Sequence, residues 1–157
     1  MTDKLTDLPN RRGFYRLADK RFKEMTSAQT PFSLLYFVVD NLQSINDIWG
    51  HAEGDIVLRG FARSLGSCAH KEDICGRVDG SAFAVLLQHK NDHDADAFLF
   101  KLQTKIDEFN LNAEHKYHIN YAYGLLENNA EKYSDIIEML DDSDTVMYSE
   151  HRKKKHR

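Results

Sequence analysis

A chain of 157 residues in which 41% are apolar and 29% charged is the right size and composition for one soluble globular domain with a single core. The formal net charge of -4 gives no general attraction to nucleic acid, and the longest apolar run, Phe32 to Val39, is too short to span a bilayer. Met1-Thr2-Asp3-Lys4 lacks the basic-then-apolar pattern of a secretory signal, so a cytoplasmic location is expected. Cys68 and Cys75 have no spacing suited to a metal and are expected as reduced thiols.

Asn10 is placed to cap a first helix whose buried face comprises Phe14, Leu17, Ala18, Phe22 and Met25, with Pro31 closing the element. Phe32 to Val39 reads as a central strand covered on both faces and ending at Asp40. The pattern turns helical from Asn41 to Trp49 and, after Gly50 and Gly54, again through Ile56, Val57, Phe61 and Leu65 toward Cys68. Ile74 to Val78 and Ala82 to Leu87 form a predicted hairpin around Asp79-Gly80-Ser81, with Gly80 supplying backbone freedom. Phe98, Leu102, Ile106 and Phe109 mark an amphipathic helix, and Tyr117 to Leu125 a further strand. Ser134 is the expected cap of a last helix that buries Ile137, Leu140 and Met147. The sum is an α/β sandwich of mixed sheet and helices without repeats or linkers.

Two stretches carry a family resemblance. Asp3-Lys4-Leu5-Thr6-Asp7-Leu8-Pro9-Asn10-Arg11-Arg12-Gly13-Phe14 resembles the D-x-L-T-x-L-x-N-R-R-x-F opening of GGDEF domains, and residues Ile45 to Asp55 resemble their I-N-D-x-x-G-H-x-x-G-D motif. The hairpin falls where the family signature belongs, and Met147-Tyr148 matches a pair in its last helix. The resemblance covers the whole chain, 1–157, as one GGDEF domain cut from a longer bacterial signalling protein. It implies a mainly antiparallel sheet flanked by helices, related to the palm of nucleotide cyclases and polymerases. Active members condense two GTP molecules into cyclic di-GMP across two facing domains, with divalent metal held by carboxylates.

Several positions depart from that pattern. The D-x-D that ends the family's first strand is Val38-Val39-Asp40, and the G-G-[DE]-E-F signature is Asp79-Gly80-Ser81-Ala82-Phe83. Asp40 shares a face with Val38 but lies about 6.6 Å farther along the strand, whereas Mg²⁺ requires oxygen at about 2.0–2.1 Å. Asp79 is read as a turn residue that adds negative charge where the family has glycine. Gln43, His151 and Lys155 replace cations of the family pattern, while Arg77 is retained. The inhibitory R-x-x-D motif is His70-Lys71-Glu72-Asp73, and His70 lacks the fork with which arginine grips phosphate or guanine.

Asn46 and Asp55 match the family's guanine-recognition pair, whose amide and carboxylate suit the edge of that base; the same residues could also satisfy local backbone donors. Asn46, Asp55 and Arg77 are therefore the candidate nucleotide-binding residues. His89 with His93, and His115 with His118, have spacings that could close on an ion but sit in polar segments and are read as surface residues. His51 is read as structural, and the alternation of Tyr117, Tyr121 and Tyr123 as strand packing. The basic tail His151 to Arg157 is read as a solvated helix end or linker in preference to a phosphate-binding tail.

The expectation is a GGDEF domain without catalysis and without metal or cofactor, with a regulatory or protein-interaction role in cyclic di-GMP signalling. Its expected partners are a protein or an adjacent phosphodiesterase or sensor domain, with no nucleic acid and no membrane contact. GTP binding is the alternative function, an active cyclase a further one, and homodimerisation is a further expectation.

Overall fold

The computed structural model describes residues 1–112, 117–128 and 132–143. The elements run α1 (Arg11–Ala28), β1 (Phe32–Asp40), α2 (Leu42–Trp49), α3 (His51–Cys68), β2 (Ile74–Arg77), β3 (Ala82–Gln88), α4 (Asp94–Asn110) and β4 (Asn120–Glu127), and residues 136–143 are helical. The strands form one sheet in the order β2-β3-β1-β4, and every pairing among the described residues is antiparallel.

The two-residue period of β1 sorts its side chains into two cores. Leu35, Phe37 and Val39 join Phe83, Val85 and Leu87 of β3 against α3 and α4. The intervening Leu34 and Tyr36 join Ala84 and Leu86 against Phe14, Ala18, Phe22 and Met25 of α1 and Ile136, Met139 and Leu140 of the 136–143 helix. Central strands covered on both sides lose their alternation of polar and apolar residues, which explains the unbroken apolar run in the sequence. Phe37 and Phe61 meet edge to face at 5.7 Å between centroids and anchor α3 on the sheet. None of the described helices is long and apolar enough to cross a membrane.

Helix α1 starts where Asn10 Oδ1 accepts the Gly13 amide at 2.9 Å. It ends two residues before Thr30, whose amide returns to the Met25 carbonyl while Gln29 turns left-handed at φ 57°. Leu17 departs from expectation, being 46% exposed. It lies about 100° around the helix from the centre of the face made by residues 14, 18, 22 and 25. In the 136–143 helix the buried hydrophobic residues are Ile136, Met139 and Leu140, whereas Ile137 is exposed. The cap there is Asp135 rather than Ser134: Asp135 Oδ1 accepts the Glu138 amide at 2.9 Å, while Glu138 reaches back to the Ser134 amide. Met147 and Tyr148 lie outside the described residues.

Strand β4 begins at Asn120, later than expected, because the side chain of Asn110 substitutes for a ladder partner at Ile119. It accepts the Ile119 amide at 2.7 Å and donates to the Ile119 carbonyl at 3.0 Å. Tyr117 instead bonds to α3, donating to Glu53 Oε2 at 2.6 Å; burial, followed by this bond, pushes its hydroxyl up to about 12. Gly80 also differs from expectation. Gly50 is the one described glycine with a positive φ, and a Cβ at Gly80 would meet open space, so the hairpin turn does not demand glycine there.

Candidate functional site

The end of β1 and the hairpin turn are brought together by register. Val38 pairs with Ala82, and the Val39 amide donates to the Ser81 carbonyl at 2.9 Å. Three sequence-predicted positions, Val38, Ser81 and Ala82, thus meet at one end of the β1–β3 pair, with Val38 and Ala82 on the α1 side of the sheet, although β1 and the turn are far apart in the chain. Beyond them, Asp40 pairs with Asn120 of β4. Phe83 faces the opposite core and is fully buried.

This convergence is where the resemblance implies a divalent metal ion. Val38 and Ala82 carry no ligand atom, and Ser81 offers a neutral hydroxyl in place of a carboxylate. Among the described residues no three His, Cys, Asp or Glu side chains gather in a way that could hold an ion. The side chains present do not make the carboxylate set that the resemblance implies.

The turn itself is braced from within. Asp79 is exposed, and its Oδ1 accepts the Gly80 amide at 2.8 Å. Arg77 spans the turn, donating to the Gly80 carbonyl at 2.7 Å through one guanidinium nitrogen and to both carboxylate oxygens of Asp3 at 3.1 Å through another. Asp3 also accepts the Thr6 hydroxyl at 2.7 Å. Burial works against its charge, but the bonds from Thr6 and Arg77 outweigh that and hold its carboxyl below the ordinary 3.8. Arg77, selected from sequence as a phosphate contact, is therefore engaged in a brace between the amino-terminal motif and the hairpin. Sequence reading did not find Asp3 as its partner.

Asn46 and Asp55 flank the junction of α2 and α3. Gly50 breaks the two helices at φ 95°, a conformation that favours glycine, and lets α3 fold back on α2. The Asn46 side chain then lies directly on Gly54: a Cβ at that glycine would stand 1.8 Å from Asn46 Oδ1. Asn46 Oδ1 is buried and has no hydrogen-bond partner among the described residues. A buried acceptor without a donor costs free energy on the order of 1–3 kcal/mol unless something supplies one. Asp55 follows Gly54 on α3 and is half-buried. The structure thus brings the Asn46 amide to the helix turn that carries Asp55, and Gly54 is the residue that makes room.

The remaining candidates sort plainly. Asp73 accepts the His70 amide at 2.8 Å and the Gln88 amide at 3.0 Å, so its carboxylate closes the loop before β2 onto the end of β3. His70 lines a small cavity of about 90 Å³ with Cys68 and Lys101. His89 pairs with the buried Ser33 hydroxyl at 2.7 Å, whereas His93 is exposed. His51 opens α3 in an exposed position, and Gln43 bonds Asp47 of its own helix at 2.9 Å. Tyr121 donates to Gln103 at 2.8 Å, and Tyr123 is 45% exposed. Both cysteines are free, and burial pushes the Cys75 thiol up to about 12. His115 and the tail with His151 and Lys155 lie outside the described residues.

Comparison with known proteins gives this geometry its family. The family model described as "Diguanylate cyclase, GGDEF domain" matches residues 1–157. Diguanylate cyclase DgcM of Escherichia coli is 40% identical over 85 residues, which cover 54% of the chain and 21% of DgcM. Diguanylate cyclase DgcP of the same organism is 28% identical over 157 residues, covering 99% of the chain and 45% of DgcP. The chain thus spans less than half the length of either relative. The solved GGDEF domain of PA1120 from Pseudomonas aeruginosa superposes with a TM-score of 0.86 at 26% identity, over 98% of the chain and 90% of that domain.

These relatives correct one expectation from the sequence. The chain was expected not to be an enzyme, on the strength of Val38, Ser81 and Ala82, yet the proteins it resembles are named diguanylate cyclases, which are enzymes. Substituted side chains at one corner of a site do not by themselves remove a chain from an enzymatic family. With the match running from end to end and the antiparallel sheet shared with a solved member, the chain belongs to the GGDEF domain family.

Proposed function

We propose that this domain binds a guanine nucleotide at the α2–α3 junction, as the nucleotide-responsive part of a longer protein acting in cyclic di-GMP signalling. The observation that carries the reading is the buried Oδ1 of Asn46, without a hydrogen-bond partner among the described residues and seated on Gly54 beside the turn that holds Asp55. Guanine presents a ring N–H and an exocyclic amine side by side, two donors that an amide oxygen and a carboxylate can accept together. Adenine offers an amine next to a ring acceptor and leaves one of the two oxygens facing a lone pair. Discrimination of this kind, in which the wrong ligand leaves a buried polar group unpaired, is steep. Occupancy of the pocket is the signal passed to a neighbouring domain or a protein partner.

Calorimetric titration of the chain with GTP and with ATP tests this. GTP should bind saturably, and more tightly than ATP. Asn46→Ala and Asp55→Ala should each weaken GTP binding by about tenfold, the cost of one charged or buried hydrogen bond. Equal binding of the two nucleotides, or GTP affinity unchanged in both variants, would remove the reading.

A further inference from the structure

Away from the α2–α3 junction and the hairpin, helices α3 and α4 enclose a groove of about 590 Å³. Its floor is apolar: Ile56, Gly60 and Phe109 line it, and the Phe109 ring lies so close over Gly60 that a Cβ there would come within 2.9 Å of it. Its rim is cationic. Arg59 and Arg63 project from successive turns of α3 and Lys105 faces them from α4, with Glu108 as the carboxylate among the lining residues.

Neither arginine has an ion pair or hydrogen bond among the described residues, and both are exposed. Like charges four residues apart on a helix repel, and Asp55, four residues before Arg59, is the acid that α3 places at that spacing; Arg63 has none. The chain carries 25 acidic residues against 21 lysines and arginines, so a groove lined by three cations and one carboxylate runs against the overall balance. Ser64 and Ser67 add hydroxyls along the same wall; each donates to a helix carbonyl, at 2.9 and 2.8 Å, which leaves its oxygen lone pairs available. Positions that break a local rule of stability without internal compensation are where ligands are commonly accommodated.

We propose that the α3–α4 groove binds a small phosphate-bearing anion, with Arg59, Arg63 and Lys105 gripping the phosphate and the floor around Phe109 receiving the rest of the molecule. The volume is that of a pocket for a nucleotide-sized ligand. Two guanidinium forks separated by one turn suit neighbouring phosphate oxygens, which they can hold by paired charge-assisted hydrogen bonds. The site is separate from the guanine pocket proposed above and uses none of its residues.

The probe is pyrophosphate, titrated at low ionic strength into the full chain by calorimetry and by amide NMR shifts. Binding should be saturable, with the largest shifts on α3 and α4. Arg63→Glu should weaken it by about tenfold and Arg59→Glu with Arg63→Glu should abolish it, as expected for charge-assisted contacts that become repulsive. Lys20→Glu on α1 makes the same change in net charge outside the groove and should leave affinity unchanged, as should Asn46→Ala. Circular dichroism establishes that each variant is folded. Absence of saturation, unchanged affinity in the double variant, an equal loss in Lys20→Glu, or a loss in Asn46→Ala would each overturn the proposal.

Discussion

Asp3 and Arg77 meet across 74 positions of sequence, one guanidinium nitrogen lying 3.1 Å from both carboxylate oxygens. The same arginine holds the Gly80 carbonyl, so a single side chain ties the amino-terminal motif to the hairpin turn. The side chains are 17% and 20% exposed, which shields the pair more than an ordinary surface bridge.

Asp3→Asn should therefore lower stability by about 1–2 kcal/mol near neutral pH, measured by denaturant unfolding. The pH dependence has a definite sign. The carboxyl is held below its ordinary 3.8 in the folded state, so its contribution is fully present above that value and is lost as pH falls through the lower folded one. The stability gap between the chain and Asp3→Asn should be constant from neutrality down to about pH 5 and should close in stronger acid. A gap that widens on acidification would contradict the brace.

Gly76 sits in β2 with Phe14 pressed onto it: an added Cβ would lie 2.6 Å from Phe14 Cβ, an atom fixed to the α1 backbone. Since neither strand nor helix can yield without disturbing a fully buried ring, Gly76→Ala should cost about 1–3 kcal/mol by overpacking. Thermal unfolding checks this, and a melting temperature equal to that of the unsubstituted chain would show that α1 shifts freely.

Gly54→Ala separates stability from ligand binding. The added methyl collides with the far end of the Asn46 side chain, which can rotate away, so the fold should survive. Alanine also favours the helix over glycine by up to about 1 kcal/mol. Stability should change little while GTP affinity falls about tenfold, because the displaced amide no longer accepts from the base. Calorimetry and melting on the same sample decide it; retained affinity would place the nucleotide elsewhere.

The pairing of Val38 with Ala82 gives a prediction about metal. Restoring acids with Val38→Asp and Ser81→Glu places two carboxylates at the convergence of β1 and the turn, the hard oxygen ligands that divalent ions require. Mn²⁺ affinity, read from the free-ion signal in electron paramagnetic resonance, should rise by at least about tenfold over the unsubstituted chain. An unchanged affinity would show that the strand end and the turn do not form one site.

The amino-acid sequence alone determined the order and type of the elements, because the unbroken apolar run from Phe32 to Val39 and the helical spacing of Phe98, Leu102 and Ile106 are local consequences of burial. It also determined the family, through ordered motifs in the first 55 residues and a hairpin in the right place. Local signals failed at element edges, where one side-chain hydrogen bond decides the outcome. Asn110 holds back the start of β4, and Asp135 caps where Ser134 was expected. Only the tertiary structure decided which site residues meet. It set Val38 against Ala82, placed Asn46 on Gly54 with an unsatisfied oxygen, turned Arg77 toward Asp3, and gathered Arg59, Arg63 and Lys105 around one groove. Strand register and helix packing create these juxtapositions through contacts between residues far apart in the chain, and no local pattern records such contacts.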